Sequence, residues 1–302
     1  KGSAPAQINI PRDMWTQVID IELPPIIKFE RPAGGSEAIK EAAKLLSNAD
    51  FPVILSGAGV VLADAINDCK ALAEKLDSPV ASGYQHNDSF PGSHPLAVGP
   101  LGYNGSKAAM ELISKADVVL ALGTRLNPFS TLPGYGIDYW PKDAAIIQVD
   151  INSDRIGLTK KVSVGICGDA KQVAQQLLNS LSPEAGNKNR DERKALIHQT
   201  KSAWLQTLSS MDHEDDDPGT SWNEEARVRD ADRMSPRMAW RAIQNGLPKN
   251  AIISSDIGNN CAIGNAYPTF EEGRKYLAPG LFGPCGYGFP SVLGAKIGCP
   301  NI

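Results

Sequence analysis

Pro52-Val53-Ile54-Leu55, followed by Ser56-Gly57-Ala58-Gly59 and then by Ala65, Cys69, Leu72, Ala73 and Leu76 at helical spacing, is the stretch that decides the fold. A short unbroken apolar run reads as a strand buried on both faces, and a glycine turn feeding an amphipathic run reads as a strand-to-helix connection. The unit recurs on either side. Upstream, Ile39, Ala42, Ala43 and Leu46 form one helical stripe, with Ser36 as N-cap and Glu37 in the first turn. Downstream, Pro79-Val80-Ala81, 117–122, 145–150 and 162–164 read as strands, with a helix over 105–116 and another capped by Asp169. Strands alternating with helices predict an α/β fold built on a doubly wound parallel sheet, with five strands between residues 50 and 166.

Outside that sheet the rhythm changes. Residues 14–35 read as a proline-rich connector, and 183–234 as a linker carrying one helix around Ile197, Trp204 and Leu208. The acidic run 212–217 reads as a solvated surface; a calcium loop would need a properly spaced glycine and a closing glutamate, which do not follow. A second α/β unit starts at Ser235-Pro236, with helix 236–245, strand 251–255, helix 259–266 and strand 275–278. The partition expected is therefore 1–35, 36–182, 183–234 and 235–302.

The chain has 302 residues, room for two domains of roughly 100–200 residues each. A net charge of −4 gives no basis for a nucleic-acid or membrane-surface partner. The cysteines, Cys69, Cys167, Cys261, Cys285 and Cys299, are odd in number and lack C-x-x-C spacing, the pattern of reduced thiols in a cytoplasmic protein. No signal peptide or bilayer-spanning run is evident. Both ends read as cut, the first as a strand leaving another domain and the last as a helix awaiting its next strand.

Two glycine-rich stretches carry the chemistry. Ser254-Ser255-Asp256-Ile257-Gly258-Asn259-Asn260 runs from strand through glycine into helix, a place where amides suit a diphosphate or where the asparagines simply cap the helix. Gly280 to Pro290 interleaves glycines with Pro284, Cys285 and Tyr287 before a second helix. Elsewhere, Gly57-Ala58-Gly59 lacks the third glycine of a dinucleotide fingerprint and reads as a tight βα turn. Arg125, after Gly123-Thr124 at a strand end, suits a phosphate or carboxylate as well as a structural ion pair. His86 and His94 flank an exposed-looking loop whose Tyr84, Gln85, Asn87 and Asp88 would suit a polar substrate entrance. No serine–histidine–acid set and no metal-ligand spacing stands out.

Residues 52–61, 116–125 and 164–170 resemble the middle domain of thiamine-diphosphate enzymes of the acetolactate synthase type, and 255–259 and 283–290 resemble the opening of that family's diphosphate-binding domain. The resemblance implies a Rossmann-like middle domain followed by the start of a cofactor-binding domain. It implies Gly258, Asn259 and Asn260 near the diphosphate, the Gly283 carbonyl on the aminopyrimidine amine, and Cys285 as the wedge under the bent cofactor. Acetolactate synthases usually place methionine at Cys285. That departure, with 86–91, 99–103, 132–141 and 282–287, resembles the branch that acts on sulfoacetaldehyde.

The implied reaction is carbanion attack on the aldehyde, loss of sulfite, and capture of the acetyl group by phosphate. Implied with it are Mg2+, a homodimer or homotetramer, and no flavin requirement, although FAD is possible in the middle domain. The family's activating glutamate is expected before Lys1 and its magnesium motif after Ile302, so no catalytic or metal-binding residue is assigned. This chain alone is expected neither to bind the cofactor tightly nor to turn over. His86 and Arg125 are the candidates for the substrate. The alternatives are a carboligase or decarboxylase acting on pyruvate, and a non-catalytic nucleotide-binding module.

Overall fold

The computed structural model describes residues 7–27, 29–211, 234–280 and 282–302. Its large sheet is parallel and has six strands: β1 (Pro52–Ser56), β2 (Val80–Ser82), β3 (Ala97–Pro100), β4 (Val118–Leu122), β5 (Ala145–Asp150) and β6 (Val164–Cys167). Their order is β3-β2-β1-β4-β5-β6. β1 and β4 are buried at every position, as the unbroken apolar runs require of a parallel sheet covered on both faces. β3 is the strand that the alternation missed.

Helices α1 (Ser36–Asn48), α2 (Ala58–Leu62) and α3 (Ile66–Leu76) come first in the chain. α4 (Lys107–Ile113), α5 (Pro128–Thr131), α6 (Ala170–Ser180) and α7 (Arg190–Met211) follow. α1 and α3 both pack on α6. The stripe Ile39, Ala42, Ala43, Leu46 is the buried face of α1. Each large aliphatic side chain buried this way contributes roughly 1.5–3 kcal/mol. Two local expectations differ. Gly35 rather than Ser36 is the N-cap of α1. The run after Gly59 is two helices, broken where Asp64 takes a left-handed φ of 56°. Asp169 caps α6 as predicted, accepting from the amides of Lys171 and Gln172.

The segment read as a linker contains α7, which packs against α4. Arg193 ties α7 down from a fully buried position. Its guanidinium donates to five backbone carbonyls, those of Asp50, Leu76, Asp77, Gly186 and Lys188, at 2.6–3.0 Å. The acidic run 212–217 lies outside the described residues.

The second unit comprises α8 (Pro236–Gly246), β7 (Ile253–Ser254), α9 (Asn259–Gly264), β8 (Tyr276–Leu277) and α10 (Gly288–Gly298), with β7 and β8 paired in parallel. It is joined to the large sheet through the loop after β2. Asn87 Nδ2 donates to the carbonyls of Asn265 and Pro268 at 2.9 and 2.8 Å. Asp88 Oδ2 accepts from the amides of Lys275 and Tyr276 at 3.0 and 3.2 Å. Burial raises the Asp88 pKa, and these amides pull against the rise. This loop is therefore not the exposed entrance its polar composition suggested. Asn87 and Asp88 are buried and spent on holding the second unit.

Candidate functional site

β7 delivers Asp256 to the junction of the two glycine-rich stretches. Its carboxylate accepts from the amides of Ile257 at 3.0 Å, Gly286 at 2.9 Å, Tyr287 at 3.3 Å and Gly288 at 3.5 Å. Desolvation raises its pKa, but the four backbone hydrogen bonds together outweigh it, so the carboxyl titrates below its ordinary range. One consequence is structural. The loop 283–288 is fastened to the turn 256–260, so Gly258, Asn259, Asn260, Gly283 and Cys285 come to one edge of the second unit. Ile257 lies beside Gly283, its Cγ1 3.4 Å from where a Cβ would stand.

The other consequence is electrostatic. The N-terminus of α10 already faces a carboxylate from within the chain. The N-terminus of α9 does not. Gly258 precedes it at φ 125°, which favours glycine, and no side chain caps it. Asn260 Nδ2 turns back to the Asp256 carbonyl at 3.3 Å and to Ser255 Oγ at 3.4 Å, and its own carbonyl accepts from Trp240 Nε1 at 2.8 Å. The two asparagines are therefore not caps. Gly258, Asn259 and Asn260 are exposed, and the first-turn amides of a helix lie outside its own ladder. The start of α10 therefore already holds an anion, whereas the start of α9 carries no side-chain cap. Cys285 is an exposed free thiol between Gly283 at φ 62° and Gly286 at φ 84°.

The large sheet reverses its strand order between β1 and β4, the place where such sheets bind ligands. Here the two strand ends lock backbone on backbone. The Gly57 amide donates to Leu122 O at 3.0 Å and the Gly59 amide to Gly123 O at 2.8 Å. A Cβ on Gly59 would lie 2.6 Å from Gly123 Cα. The glycines serve this contact, and those two amides are not free for a phosphate, so the tight-turn reading is the one the structure has.

His86 and Arg125, 39 residues apart, lie near enough for the guanidinium charge to act on the imidazole. Burial, and then the Arg125 guanidinium, push the His86 pKa down to about 4. Burial lowers the Arg125 pKa, as does Arg155, while Asp150 opposes them. His86 is thus neutral at neutral pH, and Arg125 is the cation. His94 lies elsewhere, with Nε2 3.2 Å from Glu74. Among the described residues, neither His86 nor Arg125 hydrogen-bonds to the glycine loops.

The residue before His86 was read in the sequence only as one of a polar group. Gln85 is 2% exposed and sits at φ 61°. Neither its Oε1 nor its Nε2 has a partner among the described residues. A Cβ on Gly280 would lie 2.8 Å from that Oε1, which places Gln85 against the start of the second glycine loop. Among the described residues no group of three or more His, Cys, Asp or Glu side chains could hold a metal ion.

Comparison with known proteins gives the following. The model for the thiamine pyrophosphate enzyme central domain matches residues 39–177, and that for the C-terminal TPP-binding domain matches 256–302. A probable sulfoacetaldehyde acetyltransferase of Rhizobium meliloti (strain 1021) is 80% identical over 302 residues, all of this chain and 51% of that protein. A sulfoacetaldehyde acetyltransferase of Roseovarius nubinhibens is 77% identical over 299 residues, 99% of this chain and 50% of that protein. A probable acetolactate synthase large subunit of Methanocaldococcus jannaschii is 33% identical over 311 residues, 98% of this chain and 48% of that protein. The chain spans about half the length of these relatives.

Proposed function

We infer a function from the premise that this chain belongs to the thiamine pyrophosphate enzymes, whose central and C-terminal binding domains it matches. The whole protein is a sulfoacetaldehyde acetyltransferase that converts sulfoacetaldehyde and phosphate to acetyl phosphate and sulfite. The observation that carries this reading is the identity of 80% and 77%, over essentially the whole chain, to relatives bearing that name.

When bound, thiamine diphosphate supplies a carbanion that adds to the aldehyde carbon and a ring that accepts the electron pair. The chain's own residues do the rest. Gly258 and the uncapped start of α9 hold the diphosphate, with Asn259 and Asn260 as added donors. The Gly283 carbonyl would accept from the aminopyrimidine amine, and Cys285 would support the cofactor. Asp256 positions both halves through its four amide contacts. Mg2+ accompanies the diphosphate.

For the substrate, Arg125 offers the charge a sulfonate needs, and neutral His86 can donate or accept one hydrogen bond beside it. We place the protein in the cytoplasm as a homodimer or homotetramer.

A carboligase acting on pyruvate is the second reading, supported by the acetolactate synthase relative. The spent amides of Gly57 and Gly59 weigh against the flavin that reading would bring. The full-length protein, loaded with thiamine diphosphate and Mg2+, is offered sulfoacetaldehyde or pyruvate. Sulfite from the first supports the acetyltransferase; carbon dioxide from the second, without sulfite, overturns it.

A further inference from the structure

We propose that the chain carries a second small-molecule site, apart from the glycine loops, that takes a short-chain hydroxy monocarboxylate. A cavity of about 110 Å3 lies where the β2–β3 edge of the large sheet, α7 and the segment 266–269 of the second unit meet. Its walls are mainly apolar, with Val80, Phe90, Val98, Trp204, Leu205 and Leu208 among them.

Ser82, Asn87, Ser106, Lys201 and Thr269 interrupt those walls, and Lys201 and Asn87 are the two with bonding capacity left over. Lys201 comes from α7. Its Nζ donates to the His94 carbonyl at 3.0 Å, and among the described residues no carboxylate pairs with it. Burial alone lowers its pKa, the mark of an ammonium short of both water and counter-ion. Asn87, 7% exposed, is the other. Its amide nitrogen is used on Asn265 and Pro268, while its Oδ1 has no partner among the described residues.

Buried polar groups in native proteins are paired, and a cation in an apolar cavity is stabilised by an anion that comes with it. The complement of this cavity is therefore a carboxylate for Lys201, a hydroxyl to donate to Asn87 Oδ1, and a short apolar body. An apolar cavity of roughly 150 Å3 admits benzene, with six non-hydrogen atoms, so one of about 110 Å3 takes about four or five. Glycolate, the smallest hydroxy monocarboxylate of this kind, meets these requirements. Because the cavity spans the large sheet, α7 and the second unit, its ligand favours the state in which all three are docked.

The test uses the full-length protein, titrated by calorimetry and followed by thermal unfolding. The probe is glycolate; acetate lacks the hydroxyl and ethylene glycol, a diol, lacks the charge. The expected result is one saturable site per chain, binding of acetate weaker by about fivefold or more, and no binding of the diol. Lys201→Met lowers the affinity by at least about tenfold. Leu205→Trp, which fills the cavity and leaves the ammonium in place, abolishes binding as well; it decides the matter if Lys201→Met does not fold. Absence of saturable binding, a diol that binds as well as the acid, or equal binding by wild type and Leu205→Trp overturns the proposal. Sulfite release is measured on the same preparations. The site stands or falls by the titrations, independently of the reading of the catalytic activity.

Discussion

His86 gives the most quantitative prediction. Its pKa falls from an ordinary value near 6.5 to about 4, because burial and then Arg125 disfavour the imidazolium. At about 1.36 kcal/mol per unit, that is about 3 kcal/mol of differential stability. The native state binds this proton less readily than the unfolded state. Its full contribution to stability is therefore present above pH 6.5 and is lost progressively as the pH falls from there towards 4.

The assay has two arms. Imidazole NMR titration of the histidines, with the resonance of His86 assigned through His86→Asn, should find it titrating near 4. Denaturant unfolding should show wild type losing about 3 kcal/mol more than His86→Asn between pH 8 and pH 4. Arg125→Met should raise the pKa only part of the way, because burial is the larger cause. A His86 that titrates between 6 and 7, or a variant with an unchanged pH slope, would refute the reasoning and remove the neutral partner from the proposed sulfonate site.

Four further outcomes are expected. Arg193→Met should lower stability by roughly 3–5 kcal/mol in denaturant titration, since it strands five buried carbonyls. Gly123→Ala should cost roughly 2–4 kcal/mol, because φ is 62° and the new Cβ would stand 2.7 Å from Gly59 Cα; calorimetric unfolding reads this directly. Asp256→Ala should free the loop 283–288 and weaken thiamine diphosphate binding to the full-length protein by about tenfold or more in calorimetry. In timed alkylation mapped by mass spectrometry, the exposed Cys167, Cys285 and Cys299 should react well before buried Cys69, whose pKa burial raises to about 12; added cofactor should protect Cys285 alone.

The parallel sheet was legible because β1 and β4 are pure apolar runs, and no other element buries such a segment so economically in hydrogen bonds. β3 was not. Ala97-Val98-Gly99-Pro100 carries a glycine at φ 90° and a proline without an amide, both poor signals for a strand. An edge position tolerates them. The loop 84–91 misled for a similar reason. Polar composition signals exposure, yet Asn87 and Asp88 are polar because they bond the second unit's backbone across about 180 residues.

Within the candidate site, the two glycine stretches were visible as strand-to-helix turns. That Asp256 fastens them was not, because its partners Gly286, Tyr287 and Gly288 lie some 30 residues away. Nor did spacing suggest that the Arg125 charge reaches His86, or that the glutamine before His86 has two unpaired amide atoms.

The most direct measurement is product analysis of the full-length protein with thiamine diphosphate, Mg2+ and sulfoacetaldehyde, with and without phosphate. The account predicts sulfite and acetyl phosphate in equal amounts, both dependent on phosphate. Sulfite without acetyl phosphate, or turnover indifferent to phosphate, would contradict it.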